Sequence, residues 1–280
     1  MQKLVITPAH LPRFRRHLLE AEKSLATIEK YMRDVQHFIR FLSGLPADRQ
    51  RILAWKEQLR REYAPASVNS MLASVNALLR FLERGDLCVR QFRVQRQAFA
   101  PEERELTREE YLRLVQAAQE RGNRRLNCLL QAICATGMRV SEVQFLTVEA
   151  LKQGEVLVQC KGKIRRIFLV AHLRKLLLDY IRDTGITSGP VFCTRSGRPM
   201  SRTAIWREMK ALCGAARVNP RKVFPHNLRH LFARIFYGLD KDIAKLADIL
   251  GHSSINTTRI YIATTGKEHR RRMEQMHLIL

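Results

Sequence analysis

Acidic residues are scarce in this 280-residue chain: 26 Asp and Glu stand against 50 Lys and Arg, a net charge of +24. The shortage leaves no run of carboxylates spaced to hold a catalytic metal ion. Cysteine offers no ligand set either. The six thiols (Cys88, Cys128, Cys134, Cys160, Cys193 and Cys213) contain no C-x-x-C pair and no metal-ligand spacing. That argues against a zinc module or a disulfide framework and for structural thiols in a reducing compartment. No apolar run approaches the roughly 20 residues needed to span a bilayer, and the opening MQKLVITPAHLPRF lacks the apolar core of a signal peptide. Internal repeats and low-complexity segments are missing too. The expectation is a cytoplasmic protein with no membrane partner.

Positive charge is abundant, and it is not confined to a tail. Residues 1–97 carry a net +9 and the remainder a net +15. Such a field attracts polyanions. Both halves remain patterned for folding, which points to a duplex gripped from two sides. On charge alone a ribosomal or merely basic protein stays open.

Residues 7–84 read as a compact set of helices. In LATIEKYMRDVQHFIRFL the apolar positions Leu25, Ile28, Met32, Val35, Phe38, Ile39 and Leu42 recur at helical spacing. Breaks fall at Gly44-Leu45-Pro46 and Gly85-Asp86, and Pro65 is placed to open a further helix. Residues 90–104 have no apolar stripe and contain Pro101, a linker signature. The expected organisation is a helical domain over 1–95, a linker over 96–104 and a second domain over 105–280 that ends in a helical tail. The second domain opens with a capping box, Thr107 and Glu110. Its one convincing strand pair, EVLVQC and IRRIFLV, flanks Lys161-Gly162-Lys163 as a β-hairpin. From Ser201 onward the pattern is helical, with breaks expected at Asn219-Pro220, Gly238 and Gly251. The fold class is therefore mainly α: a helical N-terminal domain followed by an α+β, mostly helical domain with a small β-hairpin.

Four segments can carry chemistry. In TGMRVSE, Arg139 emerges in a turn after an apolar helix, with another helix expected from about Ser141. Its planar fork suits two phosphate oxygens, although most such arginines are surface caps. The hairpin tip CKGKIRR presents Lys161, a mobile charge that can give up a proton when its pKa falls. Basic tips usually bind phosphate without catalysis, and Lys163 is a second candidate two residues on. In PHNLRHLF, the residues His226, Arg229 and His230 share one helical face. Arginine would repel a cation, so the face suits an anion better than a metal. In LADILGHSSINTTRIY, His252 follows Gly251, and Tyr261 comes nine positions later. A lone helical tyrosine is ordinarily packing; co-occurrence changes its meaning. Two arginines, several histidines, a lysine and a tyrosine together suggest phosphoryl transfer without metal or nucleotide. In that chemistry, fixed positive groups offset the charge that develops on phosphorus, and a tyrosine hydroxyl can form a covalent intermediate.

TGMRVSEV, then the lysine of CKGK between strands, then HNLRH, then LGHSSINTTRIY, in that order over about residues 105–265, resemble the catalytic domain of the tyrosine recombinases. The likeness is to the short Xer-like and the transposon or phage integrase members. The N-terminal helices resemble that family's core-binding domain in size and charge only. The resemblance implies a site-specific recombinase in which Tyr261 is the nucleophile and Arg139 and Arg229 hold the scissile phosphate. It implies that Lys161 protonates the 5′-oxygen, His226 assists proton transfer at the tyrosine and His252 hydrogen-bonds the phosphate. Glu142 would orient the site and His230 would be a structural neighbour. No cofactor is implied. The implied partners are double-stranded DNA with specific recombination sites, further copies of the chain in a tetramer, and, where one takes part, a second recombinase. The two domains would close on the duplex as a C-shaped clamp. In the tail, Met273, Met276 and Leu280 have helical spacing, to fold back or to dock on a neighbouring protomer. With only a few residues before position 7, no extra arm-binding domain is expected. Two rivals are a type IB topoisomerase and a DNA-binding protein that no longer cuts.

Overall fold

A computed structural model describes residues 4–93, 104–160, 163–262 and 273–275. Lys161, Met276, Leu280 and the expected linker, apart from Arg104, lie outside the described residues. The chain divides into two compact units, Met1–Arg96 and Gln97–Leu280.

The first unit holds α1 (His10–Glu20), α2 (Leu25–Leu42), α3 (Arg49–Glu62) and α4 (Pro65–Phe81). Local chemistry sets their ends. Ser24 accepts the Thr27 N–H at the start of α2, and Asp48 accepts the Arg51 N–H at the start of α3, each satisfying a donor that the helix cannot. Pro65 occupies the first turn of α4, where a missing N–H costs nothing. The helices bury Phe14, Val35, Phe38, Trp55 and Leu72 in one core. Leu25, the first apolar position expected in the α2 stripe, is instead exposed, because the stripe begins to face the core only at Ile28. Two asparagines of α4 pin the segment that leaves the unit. Asn76 exchanges hydrogen bonds with the backbone of Val89, and Asn69 does the same with Phe92.

The second unit contains α5 (Arg108–Glu120), α6 (Arg124–Thr136), α7 (Val148–Gln153), α8 (Ala171–Thr184), α9 (Arg202–Ala211), α10 (Pro225–Asp240), α11 (Ile243–Leu250) and α12 (Ile255–Tyr261). The expected capping box opens α5. Its sheet is a two-stranded antiparallel hairpin, β1 (Glu155–Cys160) and β2 (Lys163–Phe168), in a register that opposes Val158 to Arg165 and Val156 to Ile167. Helix α6 is central. Cys128, Leu129, Leu130, Ala132 and Ile133 are all fully buried, so it is apolar on nearly every side, and it packs against α5, α8 and α10.

Two local expectations are corrected. The helix anticipated from Ser141 is only a 3₁₀ turn at Val143–Phe145, because the Glu142 carboxylate turns back to accept the Arg139 N–H. Gly238 does not break α10, which runs to Asp240 and stops where Lys241 adopts a left-handed conformation. The five cysteines with described side chains are free. Among the described residues, no helix is long and apolar enough to cross a membrane.

Candidate active site

Helices α6 and α11 both end on one guanidinium. Gly137 caps α6 and Gly251 caps α11, each in the left-handed region with φ of 62° and 63°. Neither has room for a side chain: a Cβ at Gly137 would lie 2.4 Å from Phe232 Cδ1, and one at Gly251 would lie 2.5 Å from Arg165 Cδ. The carbonyls freed at these ends accept from Arg229 of α10, Gly137 O from Nη1 at 2.6 Å and Leu250 O from Nη2 at 2.7 Å. A cation is favoured there, since C-terminal carbonyls carry the negative end of the helix dipole. Arg229 is fully buried, and its Nε has no hydrogen-bond partner among the described residues. Burial, together with the Arg139 charge, brings the guanidinium down to about 10 against the support of Tyr261 and Glu142.

One carboxylate balances this positive charge. Glu142, buried, accepts from Arg139 Nη1 at 2.8 Å and from the Arg139 N–H at 2.7 Å. It also accepts from Arg165 Nη1 at 3.1 and 3.3 Å and lies 4.0 Å from Arg229 Nη1. Arg139 adds a 3.3 Å bond from Nη2 to Gly251 O, and its side chain stays 38% exposed. It is thus the more accessible of the two expected phosphate ligands. A cavity of about 280 Å³ is lined by Arg139, Ser141, Arg202, His226 and Arg229.

Tyr261, the last residue of α12, is buried among three histidines. Its hydroxyl is 3.1 Å from His226 Nε2. The His230 ring stacks on it at 4.2 Å, the His252 ring lies 4.8 Å away, and the Arg229 guanidinium sits 5.6 Å from its centroid. Burial, reinforced by the Arg229 and Arg139 charges, holds His226 below the usual histidine range. A neutral His226 can accept the hydroxyl hydrogen on Nε2. Burial also brings His230 to about 4, with His226 and Arg234 contributing. His252 falls to about 4 through burial and then Arg229. Arg229 Nη2 donates to His252 Nε2 at 2.9 Å, so the ring hydrogen belongs on Nδ1 and is donated to Thr258 Oγ1 at 2.9 Å.

Five of the six residues singled out from the sequence are described, and they converge here: Arg139, His226, Arg229, His252 and Tyr261. Lys161 lies outside the described residues. His230 packs on the tyrosine ring and Glu142 joins the arginines. In this state His252 is engaged with Arg229 and Thr258. Sequence reasoning missed Arg165. The structure puts Arg165 on the inward face of β2 with Ile167, but apolar residues at both parities of the strand left no sequence signal for it.

The phage integrase family model matches residues 104–268, and the model of the phage integrase N-terminal SAM-like domain matches residues 11–85. Tyrosine recombinase XerD of Halalkalibacterium halodurans is 28% identical over 273 residues, covering 89% of this chain and 91% of that protein. XerD of Vibrio cholerae is 27% identical, covering 90% and 86%. In fold, the chain resembles a lambda integrase(75–356) dimer bound to a COC′ core site, with TM-score 0.75, 18% identity and coverage of 93% and 96%. It also resembles XerH in a post-cleavage complex on a palindromic difH substrate, with TM-score 0.73, 19% identity and coverage of 98% and 84%. Fold and site define a tyrosine-type site-specific recombinase, an enzyme that cleaves and rejoins DNA. The chain belongs to the phage integrase family.

The histidines predict an acid-sensitive fold. His230 and His252 are neutral when folded, near 4, and titrate at 6.5 when released. Between those values the unfolded chain binds more protons, so stability is full above 6.5 and declines as pH falls toward 4. The urea midpoint should drop between about pH 7.5 and about pH 5.5, and the drop should shrink in a His230→Gln/His252→Gln variant. A flat or rising midpoint on acidification contradicts these assignments.

Proposed function

We propose that Tyr261 cuts DNA by attacking the scissile phosphate, forming a 3′-phosphotyrosyl bond as the phosphorus–5′-oxygen bond breaks. The observation that carries this reading is the Tyr261 hydroxyl 3.1 Å from His226 Nε2, beside the buried Arg229. The proton leaves the hydroxyl for neutral His226 as the new bond forms. Arg139 donates directly to the non-bridging oxygens from its exposed edge, and Arg229, buried in the cavity wall, acts as a fixed charge. Both are held in place before reaction, so little reorganisation opposes the developing charge. His252, set by Thr258, keeps Arg229 in register and reaches the phosphate once DNA is bound. Lys161 protonates the departing 5′-oxygen; family resemblance alone supports that role. Rejoining reverses the sequence, with a 5′-hydroxyl attacking the phosphotyrosine, so no nucleotide is consumed.

The N-terminal helices serve as the core-DNA-binding domain, so that both units contact the duplex. The basic charge on both units supports this arrangement. A lambda integrase tetramer has been solved on a Holliday junction. We carry the tetramer over to this chain, with DNA integration, excision or dimer resolution as its outcome and a second recombinase able to take part. The enzyme works in the cytoplasm, where its DNA substrate lies.

Covalent adducts mapped across the source genome's DNA give the cleavage positions, and a duplex nicked beside one of them traps the intermediate. The wild type should accumulate adduct and Tyr261→Phe none; adduct formed by Tyr261→Phe removes Tyr261 as nucleophile. Replacing the 5′-leaving oxygen by sulfur, which departs without a proton, tests the lysine. Sulfur should restore Lys161→Ala cleavage to within about tenfold of wild type. Failure of that rescue takes the acid role from Lys161.

A further inference from the structure

Arg165 is the member of the charge cluster to which the reaction scheme gives no task. It lies on β2 opposite Val158, and its side chain is only 11% exposed. Nη1 spans both oxygens of Glu142, while Nε and Nη2 have no hydrogen-bond partner among the described residues. A buried guanidinium with two unmatched donors is costly to keep. Burial pushes its pKa down, and Glu142 counters the shift. Its packing is equally specific: the aliphatic stem fills the space that a Cβ at Gly251 would need. Gly251 in turn accepts from Arg139 through its carbonyl. Arg139, Glu142, Arg165 and Gly251 therefore close a ring, in which moving any one loosens the grip on Arg139.

We propose that Arg165 is a positioning residue for the phosphate clamp: it holds the Glu142 carboxylate from the hairpin side and so aims Arg139 into the cavity. The inference rests on the reading of Arg139 as a phosphate ligand. Without Arg165, Glu142 has one fewer partner fixing its rotamer and follows Arg139 instead of directing it. Arg165 is not among the residues that line the cavity, and its hydrogen bonds go to Glu142, so its effect on Arg139 passes through that carboxylate. Lysine at this position keeps the charge but loses the rigid guanidinium plane that fixes where Nη1 meets the carboxylate.

The test compares two nicked duplexes of the mapped site, one with a natural scissile phosphate and one with a methylphosphonate there. The methyl group cancels the charge that Arg139 offsets, so defects in the clamp matter less on the second duplex. Arg165→Met should cleave the phosphate about tenfold or more slowly than wild type while DNA affinity stays within about twofold. On the methylphosphonate its rate relative to wild type should recover to within about threefold. Arg165→Lys, which keeps the buried charge, provides the same comparison should Arg165→Met fail to fold. Equal loss on both duplexes, or no loss on the phosphate, overturns the proposal. Arg139→Ala distinguishes the two layers: if it too shows no recovery, the clamp reading fails; if it recovers and the Arg165 variants do not, only the role of Arg165 fails.

Discussion

A guanidinium with no solvent exposure is an expensive thing to bury, and the second unit is arranged around one. Arg229 is stabilised from three directions. The C-terminal carbonyls of α6 and α11 receive its Nη atoms, His252 receives a further donor, and the Glu142 carboxylate stands 4.0 Å away. Burying such a charge without compensation costs several kcal/mol, so the two helices must end where they do. Their left-handed caps follow from that demand. Glycine is needed at 137 and 251 both for its positive φ and because Phe232 and Arg165 occupy the space of a side chain.

The same charge sets the chemistry around it. Three arginines share one buried carboxylate, leaving a positive excess beside the tyrosine. That excess, added to burial, keeps His226 neutral at neutral pH and thus able to take a proton. It also turns His252 into an acceptor for Arg229, which fixes the tautomer and points the remaining N–H at Thr258. The Tyr261 ring lies in a box of histidines close to this cation. A protein that holds positive charge in place before a phosphate arrives has already met the main electrostatic requirement of phosphoryl transfer.

Much of this was legible in the sequence because the motifs are local. Pro225 opening a helix puts His226, Arg229 and His230 on one face, and Ser254 capping a short helix delivers Tyr261 seven residues later. A helix end was legible where a capping box marks it, at Thr107 and Glu110. The failures involve tertiary demands. The turn after Arg139 is decided by a carboxylate that serves two distant arginines, which no local propensity encodes. Arg165 was hidden because the hairpin's outward positions are also apolar: Leu157, Ile164 and Phe168 are exposed. With apolar residues on both faces, alternation could not show which side was buried.

The account stands on Tyr261 becoming the covalent link to DNA, and peptide mass spectrometry of the trapped complex addresses that directly. Cleavage after Arg259 and Lys267 releases the peptide IYIATTGK. After nuclease trimming, this peptide should carry a nucleotide through its 3′-phosphate, with fragment ions placing the group on the tyrosine. A nucleotide on any other residue, or strand exchange with that peptide always unmodified, would contradict it.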